Sequence, residues 1–131
     1  MKPLILFILL ILPAHLFAPI GKVIYIPASE GINIYDPLIK AIIQVESCNG
    51  KYLYNSKENA VGHFQIRQVR LDHYNRETGL NHALTDCYDY DVSREIFLYF
   101  ARGKSYERAA REWNGSGKMT DEYWRKVKKE L

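Results

Sequence analysis

The sequence predicts a small, mainly α-helical domain of about five helices with little or no β-structure. Apolar residues after position 36 recur at helical spacing rather than in alternation. Helix-start residues (Asp36-Pro37, Asp89, Ser105, Thr120) and helix-stop glycines (Gly79, Gly103, Gly115) punctuate the pattern. A chain of 131 residues, 47% hydrophobic, suits one compact core.

The N-terminus stands apart from that core. Lys2 precedes an apolar run from Leu4 to Leu12, and Pro13-Ala14-His15-Leu16-Phe17-Ala18 offers a small residue at a cut after Ala18. Residues 1–18 therefore read as a cleaved signal peptide, with an uncleaved membrane anchor over residues 4–20 as the alternative. Residues 19–35 alternate weakly and are broken by Pro27, Gly31 and Asn33, so an extended lead-in with one short strand is expected. The domain proper then spans residues 36–131.

Residues 36–48 place apolar side chains at 38, 39, 41, 42, 43 and 45, a wide buried stripe. Asp36 reads as its N-cap and Pro37 as its first helical residue. Residues 49–60 form a polar loop. A second helix runs through the 65–76 region and stops at Gly79. Residues 80–91 are a further loop in which Asp89 caps a helix over 90–102, with Val92, Ile96, Tyr99 and Phe100 inward. Ser105 caps a fourth helix that presents Tyr106, Ala109, Ala110 and Trp113. Thr120 caps the last, which turns Tyr123, Val127 and Leu131 inward with Trp124 beside them. There are no repeats and no low-complexity stretches.

Glu46 breaks this pattern. It follows Ile39, Ile42 and Ile43 by seven, four and three residues, which sets a carboxyl on the apolar face. Desolvation there favours the neutral acid and raises its pKa, the property a glycosidase requires of its proton donor. The plainer alternative is a Glu that frays into solvent at a helix C-terminus, where the dipole also raises its pKa slightly.

Four ordered segments weigh on that choice: Glu46-Ser47; Asn55-Ser56 leading into Ala60-Val61-Gly62-His63-Phe64-Gln65-Ile66; Ala110-Arg111-Glu112-Trp113-Asn114-Gly115; and Tyr123 with Val127. In that order the chain resembles the lytic transglycosylase (SLT) domain of the lysozyme-like superfamily, from about Asp36 to the C-terminus. In that family a Glu-Ser pair ends a buried helix, and a Ser-bearing loop enters a Gly-Leu-Met-Gln-Ile-like turn. An aromatic-Asn-Gly motif and a Tyr approaching the acid follow. Departures fall on His63-Phe64 in place of Leu-Met, on Arg67-Gln68 where Met-Pro often stands, and on Ser116 before the second glycine. The first interval is also one residue longer than usual. These departures bear on subsite shape and sugar preference.

The resemblance implies a lysozyme-like fold, no cofactor, and a monomer acting on peptidoglycan glycan strands. It makes Glu46 the acid that protonates the glycosidic oxygen and then the base that takes a proton from the muramyl 6-hydroxyl, leaving a 1,6-anhydro sugar. It places Ser56 near the acid, Gln65 on the bound sugar, Gly62 and Phe64 along the wall, Asn114 beside the cleft and Tyr123 against Glu46. From the residues alone, Ser56 is equally a turn residue, Gln65 a helix-start residue, Phe64 a core aromatic, Asn114 a helix cap and Tyr123 a core tyrosine among ten. Asp86, Asp89 and Asp91 read as loop and cap residues rather than as a second catalytic carboxylate.

Net charge is +3, or +2 once Lys2 is removed, which does not support nucleic acid binding. The basic tail Arg125-Lys126-Val127-Lys128-Lys129 follows Asp121-Glu122, the polarity a helix dipole favours; weak attraction to an anionic wall or membrane surface is second. Export would permit a disulfide between Cys48 and Cys87, although two unrelated thiols fit equally well. His63, His73 and His82 lack metal-ligand spacing, and His73 is expected on a helix exterior. The competing functions are a hydrolytic lysozyme of the same fold, a non-catalytic glycan-binding or assembly protein, and a small membrane-anchored interaction protein.

Overall fold

The computed structural model describes residues 33–131, so the expected signal segment and most of the lead-in lie outside the described residues. Those residues form a mainly α-helical domain of five α-helices and one two-stranded sheet. The order is α1 (Asp36–Ser47), β1 (Tyr54–Asn55), β2 (Ala60–Val61), α2 (Gln68–Thr78), a 3-10 turn (Leu84–Tyr88), α3 (Tyr90–Ala101), α4 (Tyr106–Asn114) and α5 (Met119–Glu130). No described helix is long and apolar enough to cross a membrane.

Helix α1 forms for the reason its stripe suggests: Leu38, Ile39, Ala41, Ile42 and Ile43 are all buried. It packs against α5, which packs in turn against α4, while α3 bridges α4 and α2. An aromatic cluster fills the centre. Phe64 stacks on Phe97 with ring centroids 5.1 Å apart, and Trp113 meets Phe97 edge-on at 5.1 Å. Such pairs add roughly 0.5–1.5 kcal/mol each beyond the area they bury.

Several boundaries differ from the sequence reading. Asp36 is the first helical residue rather than the cap; its Oδ2 accepts the Asn33 amide at 2.9 Å, while Tyr35 occupies the cap position. Asp89 and Ser105 do cap α3 and α4, their side-chain oxygens accepting from Val92 and Arg108 backbone amides. Thr120 lies inside α5, its hydroxyl donating to the Gly117 carbonyl at 2.8 Å. Leu131, expected inward, is 49% exposed because α5 ends one residue before it. Helix α3 is rotated from its expected face: Ser93, Ile96, Phe97 and Ala101 are buried, and Tyr99 and Phe100 only partly so. The Ser93 hydroxyl donates to the Cys87 carbonyl, and that bond lets a polar side chain sit in the core.

The β-structure lies in the stretch expected to be a polar loop. Tyr54 pairs with Val61 and Asn55 with Ala60 in an antiparallel hairpin closed by residues 56–59. Gly62 then carries the chain beneath the 3-10 turn at φ +83°, where an added Cβ would stand 1.9 Å from the Cys87 carbonyl oxygen. Only glycine meets both demands there.

Candidate active site

Helix α1 ends in Glu46 and Ser47, and each side chain has a distinct task. The Ser47 hydroxyl is buried. Its single proton is shared between the carbonyls of Ile43 (3.0 Å) and His63 (2.9 Å), and its oxygen accepts the Gly50 amide at 3.0 Å. These bonds fasten the segment after the hairpin to the end of α1. Glu46 is half-buried and lines a small cleft. From α5, the buried Tyr123 donates its hydroxyl to Glu46 Oε1 at 2.6 Å. Trp113 and Asn114 from α4 line the same cleft, with Gln65, Arg67 and Arg70. Glu58, on the hairpin loop, lines the same cleft.

Burial drives the Glu46 carboxyl from an ordinary 4.5 to about 7. The Tyr123 hydrogen bond opposes that shift, the negative charge of Glu58 adds to it, and Arg67 and Arg70 pull the other way. Desolvation wins, so a large share of the molecules keep this carboxyl protonated near neutral pH. Tyr123 moves far upward, through burial and its position against Glu46, and remains a hydrogen-bond donor. Arg70 is locked in place. Its Nη2 donates to the carbonyls of Trp113 (2.8 Å) and Glu112 (3.2 Å), and its guanidinium lies 4.4 Å from the Trp113 ring centroid. Trp113 Nε1 donates in turn to the Phe64 carbonyl at 3.2 Å.

The structure thus brings Glu46, Tyr123, Gln65 and Asn114 to one place. Gln65 takes a left-handed backbone at φ 51°, and its Nε2 donates to the carbonyls of Gly62 (2.9 Å) and Tyr52 (3.1 Å). With both amide hydrogens used, Oε1 is its remaining acceptor for a ligand N–H.

Three candidates lie elsewhere. Phe64 has no exposed surface and belongs to the aromatic core, so it does not wall the cleft. Gly62 is buried against the 3-10 turn; its freedom serves that crossing rather than a glycan. Ser56 is exposed on the hairpin loop and does not line the Glu46 cleft. Nor do the cysteines pair: Cys48 is exposed at the left-handed end of α1, whereas Cys87 is fully buried in the 3-10 turn. Burial raises the Cys87 thiol to about 11 and keeps it protonated. Asp86 and Asp89 bind backbone amides of their own turn and helix, and no group of metal-ligating side chains occurs among the described residues.

Sequence reasoning passed over Glu58, Arg67, Arg70 and the buried hydroxyl of Ser47. Glu58 falls within the polar loop expected over residues 49–60, and the signal that places it, the pairing across residues 54–61, is two residues long on each side.

Two further depressions share walls with the cleft. One, bounded by Val69 and His73, shares Arg67 and Arg70; the other, bounded by Met119, Glu122 and Lys126, shares Asn114. Comparison with known protein families, characterised proteins and solved structures finds no match to this chain.

Proposed function

We propose that this protein is a peptidoglycan lytic transglycosylase that cuts the β-1,4 bond between N-acetylmuramic acid and N-acetylglucosamine. The observation that carries the reading is the Glu46 carboxyl, held by Tyr123 at a surface cleft and raised to about 7. A buried acid in a cleft is of use where a proton must be delivered to an ether oxygen. The two depressions that share lining residues with the cleft leave room for more than one sugar unit. Gln65 offers an acceptor for an N-acetyl N–H, and Asn114 supplies a further amide in the same cleft.

In this reading the Glu46 proton passes to the glycosidic oxygen, and the C1–O bond breaks with its electron pair on the leaving sugar. The 6-hydroxyl of the same muramyl residue then forms the C1–O6 bond, and its proton returns to Glu46. No water is consumed. The tethered hydroxyl reacts at an effective concentration on the order of 10⁵–10⁸ M, which is how one working acid/base suffices. The substrate requires export to the cell envelope, in keeping with the leader expected at residues 1–18.

Hydrolysis by the same acid is the second reading, favoured by the presence of Glu58 in the cleft. The products separate the two. Purified peptidoglycan digested in ¹⁸O-water is expected to release muropeptides ending in 1,6-anhydro-N-acetylmuramic acid. Such ends resist borohydride, contain no ¹⁸O and are one water lighter than hydrolysed ends. Reducible ends carrying ¹⁸O would make the enzyme a lysozyme.

A further inference from the structure

We propose that Glu58 is a second catalytic carboxylate, whose negative charge stabilises the positive charge that develops at the anomeric carbon as the glycosidic bond breaks. The proposal rests on the reading of Glu46 as the general acid, and it holds whether the 6-hydroxyl or water completes the reaction.

Glu58 has no evident structural task. It caps no helix, its side chain is 59% exposed, and its one charged partner is Arg67, with Nη1 to Oε2 at 3.9 Å. An exposed pair at that distance is worth at most about 1 kcal/mol. Yet the hairpin holds this loop over the end of α1, so that Glu58 and Glu46 line one cleft from two different elements. The hairpin is itself tied down: Gly62 lies tight beneath Cys87, and Ser47 anchors the His63 carbonyl. Glu58 is thus carried on a braced support, with Arg67 beside it to steer the carboxylate.

The chemistry asks for a charge of this sign. When Glu46 gives up its proton and the C1–O bond breaks, the sugar ring becomes oxocarbenium-like and needs a fixed negative charge nearby. Glu46 becomes anionic only as its proton leaves. Tyr123 is neutral, Trp113 and Asn114 are uncharged, and Arg67 and Arg70 have the wrong sign. Among the residues lining the cleft, Glu58 is the one that can be negative before the step begins. The same charge discourages ionisation of Glu46 and so helps to keep the donor loaded.

The test compares the full chain with Glu58→Gln, Glu58→Asp and Glu46→Gln on soluble peptidoglycan strands. Melting temperature and the titration of the Glu46 carboxyl, followed by ¹³C NMR, are measured alongside. Glu58→Gln is expected to lower kcat about 10–100-fold, with KM within about twofold and the melting temperature unchanged. Glu58→Asp is expected to retain part of the rate, and the Glu46 midpoint is expected to fall in Glu58→Gln. Wild-type kcat in Glu58→Gln, alongside an inactive Glu46→Gln, would overturn the role of Glu58 alone. A wild-type chain that cleaves no glycan would overturn the reading of Glu46 and this proposal with it.

Discussion

Glu46 sets a trade between stability and chemistry. Its folded-state pKa of about 7 exceeds the ordinary 4.5, so the folded protein holds its proton where the unfolded chain has lost it. Below pH 4.5 both states are protonated and there is no penalty. As pH rises from there through 7, stability is lost, up to roughly 3 kcal/mol for a shift of this size. Glu46→Gln keeps the shape and an oxygen for the Tyr123 hydroxyl while removing the ionisation. Its melting temperature is therefore expected to exceed that of the wild type at pH 8 and to match it at pH 4. Equal melting temperatures at both pH values would mean that the carboxyl is not desolvated. The apolar-face position of Glu46 was legible from its spacing to three isoleucines. The task of Ser47 and the place of Glu58 in the cleft were not, because each depends on a fold-back of the chain.

The helices were the legible elements, since apolar spacing and capping residues are local properties. Helix α3 shows where this fails. Ser93 falls outside the expected stripe of Val92, Ile96, Tyr99 and Phe100 yet is buried, its hydroxyl donating to the Cys87 carbonyl, and Phe97 follows it into the core. The hairpin was illegible for a different reason: strands of two residues carry no alternation to read. Its position is fixed instead by the crossing at Gly62. Gly62→Ala would combine a left-handed backbone with a Cβ driven into the Cys87 carbonyl. A loss of about 2–5 kcal/mol is expected in denaturant unfolding, with activity lost as the Glu58 loop shifts. A change below 1 kcal/mol would show that the hairpin can relax and is not the support described here.

At the scale of the whole domain, the described residues form a helical frame whose logic lies in the assignment of faces to the Glu46 cleft. Helix α1 supplies the acid, α5 the tyrosine that orients it, and α4 Trp113 and Asn114. The hairpin and the start of α2 supply the charged side. The fold class was legible because five helical patterns within about 100 residues leave few other arrangements. The cleft was only partly legible, since Arg70 joins it by stacking on the ring of Trp113, a residue distant in sequence. The central claim is that Glu46 delivers the proton that breaks a glycosidic bond. It is tested most directly by the initial rate of muropeptide release, measured for wild type and Glu46→Gln from pH 4.5 to 9. The account predicts a wild-type rate that falls as pH rises through about 7. It also predicts a loss of about 10²–10⁴-fold in a Glu46→Gln protein that stays folded. Near-normal turnover by folded Glu46→Gln would contradict it.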